Sequence, residues 1–136
     1  MISSRGKLIG LKRNPAGEEA YDSDLEKYYM VELERMPGVK MWTKRHRIKI
    51  PYQVLFVTRH YLPDFLVEFN DGSKEIHETK GLPLLFWSST AMKREVAEAY
   101  CKERGWKYKL ITKDKEVFYK NNFIPSVLGT IKDIKS

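Results

Sequence analysis

The chain has 136 residues, and its 25 Lys and Arg exceed its 18 Asp and Glu to give a formal net charge of +7. This length predicts one domain with a single core, the polar N-terminus is unlike a signal peptide, and no apolar run approaches the ~20 residues of a membrane span. The lone Cys101 excludes an internal disulfide and cannot hold zinc by itself. We therefore expect a cytoplasmic protein with no membrane partner and with affinity for polyanions.

The first predicted element is a helix that follows an N-terminal segment without clear periodicity. We expect residues 1–20 to form an arm or loose loop and residues 21–136 to form a single domain. Apolar residues at helical spacing predict a helix over residues 22–36, which Pro37-Gly38 ends. Ser23 and Glu26 have the spacing of a capping box, in which the Glu26 carboxylate bonds the N-cap amide. The alternative is that this carboxylate points toward a metal ion.

The rest of the chain predicts strands around a second helix. Residues 40–49 hold five Lys or Arg and no acid, so this stretch is either a contact surface or a solvated strand edge. The predicted elements that follow are a strand over 46–57 with an irregularity at Pro51, a β-hairpin over 61–81, a helix over 90–104, a strand over 106–112, and then a further strand and a terminal helix. This order indicates an α/β fold, with a mixed sheet flanked by helices and the core order helix-strand-strand-strand-helix-strand.

The hairpin has a preferred register that follows from its turn. Asn70-Asp71-Gly72 suits a three-residue loop with Gly72 in the left-handed region. That loop pairs opposite charges and apolar residues, namely Glu68 with Lys74, Leu66 with Ile76, and Asp64 with Glu78. A two-residue loop would shift the register by one and place Glu68 against Glu75, so the first register is favoured.

In the favoured register Asp64 and Glu78 lie opposite each other, with β-carbons about 5 Å apart. Two carboxylates this close repel, so one must take a proton or both must share a cation. Hard oxygen ligands select Mg²⁺ or Mn²⁺. Lys80 lies on the same face as Glu78 because side chains alternate along a strand. The alternative is that these charges are solvent-facing and worth under about 1 kcal/mol.

These residues resemble a known nuclease signature. Pro63-Asp64 followed by Glu78-Thr79-Lys80 is similar to the PD-(D/E)XK motif, and "YDSDLE", "LPDFLV", "HETKGL" and "AEAYCKERGWKYKLIT" are similar to two of its branches. These branches are the phage endonuclease I-type Holliday junction resolvases and the TnsA-type transposon endonucleases. The resemblance covers about residues 21–112. It implies a restriction-endonuclease-like fold and hydrolysis of DNA with Mg²⁺, for which Mn²⁺ can substitute, in a bacterial or phage-infected cell.

The resemblance also implies roles for individual residues. Asp64 and Glu78 would be metal ligands, Thr79 a further ligand through its carbonyl, Lys80 the catalytic lysine and Glu26 the acid of the first helix. His77 departs from the family pattern, which usually has an apolar residue there. It falls on the face opposite Glu78, so we expect a packed structural histidine.

The expected DNA contacts are basic and aromatic side chains near the hairpin. The candidates are Lys44, Arg45, Arg47, Lys93 and Arg94 for phosphates and Trp87 for stacking on an unpaired base. A resolvase would work as a homodimer, whereas a TnsA-type nuclease would nick DNA with a transposase partner. The remaining alternatives are a nucleic-acid-binding module without chemistry and a subunit that is active only inside a complex.

Overall fold

The computed structural model describes residues 5–81, 88–112 and 129–136. In chain order the elements are β1 (Gly6–Ile9), β2 (Glu18–Tyr21), α1 (Asp24–Arg35), β3 (Val39–Thr43), β4 (Ile50–Val54), β5 (Val57–Tyr61), β6 (Phe65–Phe69), β7 (Lys74–Thr79), α2 (Ser88–Arg104), β8 (Lys107–Ile111) and β9 (Lys132–Lys135). Within these residues the strands form three sheets, with the orders β2-β1-β9, β3-β6-β7-β8 and β4-β5. The mixed α/β class predicted from the sequence is confirmed.

The four-stranded sheet positions the site. Its β3-β6 and β6-β7 pairs are antiparallel, while β7 and β8 run parallel and α2 connects them. The prediction of its first strand was wrong, because that strand is Val39–Thr43 rather than residues 46–57. The side chains of Val39 and Trp42 point inward from β3 and are buried in the core. The strand was not predicted because basic residues dominate the composition of this stretch.

The two helices pack on opposite faces of this sheet. Helix α1 contributes Met30 and Leu33 to a core that also contains Trp42 and Phe65, whereas α2 packs its Cys101 in a second core. The second core is formed by residues from β4, β5, β7 and α2, namely Ile50, Tyr61, Ile76, Ala97 and Cys101. The predicted start of α1 is confirmed, since the Ser23 hydroxyl accepts a hydrogen bond from the Glu26 amide at 3.1 Å.

The N-terminal residues differ from the expected arm or loose loop. Strand β1 pairs with both β2 and β9, so residues far apart in sequence close a three-stranded sheet. A buried ion pair at 3.1 Å between the Lys27 ammonium and Asp133 ties β9 to α1. Gly6 is required here because an added Cβ would lie 2.4 Å from the Ile134 carbonyl oxygen. Sequence patterning missed this sheet because its partner strand lies more than a hundred residues away.

The hairpin of β4 and β5 replaces the single strand predicted over 46–57. Val54 pairs with Val57, so Leu55 and Phe56 form a two-residue turn. Leu55 has φ +57°, a left-handed conformation that two-residue hairpin turns usually give to glycine or asparagine. The turn was missed from the sequence because it contains no residue that marks a turn.

Replacing Leu55 by glycine is expected to stabilise the protein by about 1 kcal/mol. The left-handed conformation costs a side chain roughly 1–2 kcal/mol, part of which the greater chain entropy of glycine offsets. Urea unfolding of the variant measures the gain. Phe56→Gly is the matched control, since it removes an equally exposed side chain at a position without positive φ. Equal stability changes in the two variants would contradict the strain at Leu55.

Candidate active site

The predicted hairpin register is confirmed. Leu66 pairs with Ile76 and Glu68 with Lys74, and Gly72 has φ +87°. The turn is closed by a 2.9 Å hydrogen bond from the Gly72 amide to the Phe69 carbonyl. The ladder extends to the pair of Phe65 and His77, so Asp64 and Glu78 stand at the next position, where the paired strands end.

The carboxylates of Asp64 and Glu78 lie close enough for the charge of Asp64 to raise the pKa of Glu78. One oxygen of Glu78 accepts a hydrogen bond from the Asp64 amide at 3.1 Å, and the other accepts one from the Tyr61 hydroxyl. Asp64 accepts from both the amide and the hydroxyl of Thr79, at 2.9 and 2.8 Å. Residues of other strands therefore hold both carboxylates: Thr79 of β7 bonds Asp64, and Tyr61 of β5 bonds Glu78. These bonds fix the orientation of the two carboxylates.

The electrostatics of this pair are unfavourable without a cation. Burial, followed by the charge of Asp64, raises the pKa of Glu78 to about 9. Only 5% of Glu78 is exposed, so water screens the repulsion poorly. Near neutral pH one proton therefore resides on Glu78.

A divalent cation fits the donor set at this position. In the part of the chain that the structure describes, no third His, Cys, Asp or Glu joins the pair to form a larger cluster. Two carboxylates suffice for Mg²⁺, which commonly keeps several waters and binds through one or two carboxylates. The chemistry of the oxygens and the repulsion between them therefore match a hard divalent ion.

Lys80 lies immediately beyond this pair on the same strand face. Its charge acts on Glu78 and partly opposes the rise in the pKa of that carboxyl. The Lys80 amide donates to the Ile111 carbonyl at 3.0 Å, so the backbone of Lys80 is fixed against the end of β8. The side chain of Lys80 is half-buried.

Glu26 has a partner other than the carboxylate pair. Its buried carboxylate forms an ion pair with Lys44, whose ammonium also donates to the Ala20 carbonyl at 3.1 Å. The predicted return bond from Glu26 to the N-cap amide is replaced by this ion pair. A role of Glu26 in metal binding stays a prediction.

The predicted DNA contacts divide into engaged and exposed side chains. Lys44 is engaged with Glu26, and only 17% of its side chain is exposed. Arg45 is exposed although its guanidinium lies 3.6 Å from Glu19, and Arg47 is exposed beside it. The stretch that carries them is fixed near the site by His46, whose Nε2 donates to the Pro63 carbonyl at 2.7 Å.

On α2, the ammonium of Lys93 lies 5.8 Å from the centre of the Tyr61 ring. Arg94 is exposed and bonds Glu98 at 2.9 Å. Trp87 lies outside the described residues. Lys93 therefore lies beside Tyr61, whose hydroxyl bonds Glu78.

Two tyrosines at the site were missed by sequence reasoning. Tyr61 bonds Glu78, and burial together with the Glu78 charge raises the pKa of its hydroxyl well above the usual range. Tyr108 lies nearby on β8, and burial followed by Glu78 likewise raises its pKa. The alternation in residues 106–112 placed Tyr108 on a strand face, but no local signal marked Tyr61.

His77 has the structural role expected of it. The side chain is 1% exposed and faces α1, where the Tyr29 hydroxyl bonds its Nδ1. Its Nε2 lies 2.8 Å from Glu75. Burial lowers the pKa of His77. The histidine thus packs on the face opposite Glu78.

Comparison with known proteins identifies the family. The model of the TnsA-like endonuclease N-terminal family matches residues 36–113, more than half of the chain. The chain belongs to this TnsA-like family. The match supports the TnsA branch of the resemblance and places the TnsA-like chain among nucleases. It includes Asp64, Glu78 and Lys80. A comparison with curated proteins finds no significant match. Within the described residues of the TnsA-like chain, neither helix is long and apolar enough to cross a membrane.

Proposed function

We propose that the chain is a metal-dependent endonuclease that hydrolyses phosphodiester bonds in DNA. The observation that carries this proposal is the facing pair of Asp64 and Glu78, fixed in register and followed by Lys80 on the same face. A structural role does not explain a buried Glu78 carboxyl that faces the half-buried Asp64 and whose pKa is raised to about 9 by burial, followed by the Asp64 charge. Strongly shifted groups of this kind mark functional sites.

Asp64 and Glu78 would hold Mg²⁺, or Mn²⁺ in its place, with the Thr79 carbonyl as a further candidate ligand. When bound, the ion supplies positive charge that polarises the scissile phosphate and favours attack by water. The donor set supports this assignment because both side chains offer hard oxygens that remain near each other only at an electrostatic cost.

The surrounding residues orient these ligands. Thr79 holds Asp64 through two hydrogen bonds, and Tyr61 holds Glu78 through one. The Lys80 ammonium contributes a positive charge beside the carboxylates, where it can bind a phosphate oxygen and orient the attacking water. Glu26 would contribute to metal binding only after release from Lys44.

Phosphate contacts would come from the cations exposed beside the site. Arg45 and Arg47 lie on the stretch that His46 ties to Pro63, next to Asp64. Lys93 and Arg94 lie on the first turns of α2. Contacts to phosphate fix the position of DNA without reading its sequence.

The family match supports a partner-dependent form of this activity. TnsA-type nucleases resemble this chain over the matched region, so we propose that it nicks DNA as a subunit beside a transposase. The competing proposal is a homodimer that cuts branched DNA.

The test measures cleavage of supercoiled, linear and four-way-junction DNA with Mg²⁺, Mn²⁺ or EDTA. Cleavage that requires either cation and is abolished by EDTA is the expected result, and inertness of the isolated chain toward all three DNAs would favour the partner-dependent subunit. Paired cuts confined to junctions would favour the resolvase. Undiminished cleavage in EDTA would contradict the metal-dependent mechanism.

A further inference from the structure

The β4-β5 hairpin presents an exposed apolar tip. Phe56 is fully exposed and Leu55 is 89% exposed. Among the described residues, five large hydrophobic side chains are exposed, and four of them lie within residues 55–62. Such clustering on a soluble domain marks a contact surface, since scattered exposed apolar residues are ordinary and clustered ones are not.

The base of this hairpin is fixed to the body of the protein. Ile50 and Tyr61 form its last pair and are buried in the core beside α2. A 2.6 Å hydrogen bond between the side chains of Gln53 and Thr58 connects the strands near the tip. The buried base and the bonds between β4 and β5 therefore fix the direction in which the hairpin and its tip project.

The hairpin also connects the tip to the site. Tyr61 donates to Glu78 at the inner end of β5, and the same strand face continues outward through Arg59 to Val57. At about 3.3 Å per residue, five residues separate Phe56 from Tyr61 by about 17 Å. A nucleic acid held at Glu78 would pass within reach of the tip.

The charge of this part of the chain favours a polyanion. Residues 35–63 contain seven Lys or Arg and no Asp or Glu, while the rest of the chain has 18 of each sign. The whole net charge of +7 therefore comes from the segment that includes β3 and the hairpin. The exposed cations of the segment include Arg59, which lies on β5 three residues from Phe56, and Lys49, which precedes β4 at the base of the hairpin.

A second protein chain fits the tip less well. A stable protein interface buries about 800 Å² per partner, whereas Phe buries some 150–250 Å². The few exposed apolar residues within 55–62, on a segment that carries seven cations and no acid, thus make too small and too basic a patch. Apolar wedges of one or two residues are, by contrast, what proteins insert between base steps of DNA.

We propose that Leu55 and Phe56 form a wedge that inserts between bases of bound DNA, while Arg59 holds a nearby phosphate and Lys49 holds one closer to the base of the hairpin. This inference rests on the proposed function, because it takes DNA as the ligand of the site. The wedge unstacks a step close to the cleaved bond. It gives the nuclease a preference for DNA that is easily deformed there.

The experiment uses duplexes that carry one fluorescent base analogue, whose emission rises on unstacking, at successive positions. Binding is measured in EDTA with the full chain, and cleavage with Mg²⁺ is measured separately. Unmodified protein is expected to raise emission at one or two neighbouring steps. Phe56→Ala is expected to abolish that rise and to weaken DNA binding roughly tenfold, the scale of one lost base stack.

Two controls define the outcome. Phe56→Trp should keep the signal, and Ile134→Ala, which trims an exposed apolar residue of the other sheet, should leave it unchanged. Unaltered emission with Phe56→Ala would overturn the wedge while leaving the nuclease proposal intact. A loss of self-association by Phe56→Ala with unaltered emission would assign the tip to a second copy. Absence of DNA binding by the unmodified chain would overturn both proposals.

Discussion

Glu78→Gln is expected to abolish DNA cleavage and to stabilise the metal-free protein above about pH 5. The carboxylate contributes one of two charges for the cation, so its loss should reduce cleavage at least about a hundredfold. Glutamine keeps a side chain that can bond Tyr61 and the Asp64 amide. The substitution removes the buried carboxyl whose pKa is raised to about 9 by burial, followed by the charge of Asp64.

The direction of the pH effect follows from this shift. The folded protein holds a proton on Glu78 up to about pH 9, whereas an unfolded chain releases it near 4.5. Stability of the metal-free protein should therefore fall as pH rises between these values, by up to about 1.4 kcal/mol per pH unit. The variant should lack this component.

Urea unfolding in EDTA across this pH range measures the effect. Glu68→Gln is the matched control, because it removes a carboxylate from the same hairpin whose partner is Lys74 rather than another acid. It should cleave DNA normally and keep the pH profile of the parent. A Glu78→Gln protein that cuts DNA at the parent rate would contradict the assignment of the site.

Lys80→Ala is expected to lose DNA cleavage by at least about a hundredfold while still folding and binding DNA. A positioned group that transfers a proton or offsets phosphate charge contributes roughly 10²–10⁴-fold to the rate. The fold should tolerate the change, since the hydrogen bond to Ile111 comes from the Lys80 backbone. Single-turnover cleavage and DNA binding by anisotropy separate these effects.

Lys107→Ala provides the comparison for this variant. Lys107 is an exposed cation at the start of the neighbouring strand β8, at the end away from Lys80. Its removal changes the net charge equally, so a purely electrostatic effect on DNA binding would appear in both variants. Cleavage by Lys80→Ala at the rate of Lys107→Ala would show that Lys80 has no catalytic role.

The hairpin of the site was predictable because its energetics are local. Gly72 requires a left-handed conformation, and only one register pairs Glu68 with Lys74. These two constraints lie within a few residues of each other. They place Asp64 opposite Glu78 without reference to the rest of the fold. The start of α1 was predictable for the same reason, since a cap depends on residues three apart.

Other features could not be predicted because their partners are distant in sequence. Strand β1 pairs with β9, which lies more than a hundred residues later in the sequence. Lys44 was predicted as a phosphate contact but forms an ion pair with Glu26. The chain reverses between α1 and β3, which brings the end of β3 next to the start of α1. The turn at Leu55 carries no turn residue, so its position follows from how β4 and β5 pack on α2.

The sequence by itself determined the facing carboxylates, the lysine beside them and the nuclease family that these residues resemble. Turn chemistry and side-chain alternation act over short stretches, and they specify a register wherever one pairing is clearly better. Only the tertiary structure decided how far the pKa of Glu78 is raised. Burial depends on Tyr61 and Tyr108, which arrive from two other strands, and that burial is the main reason why Glu78 keeps its proton.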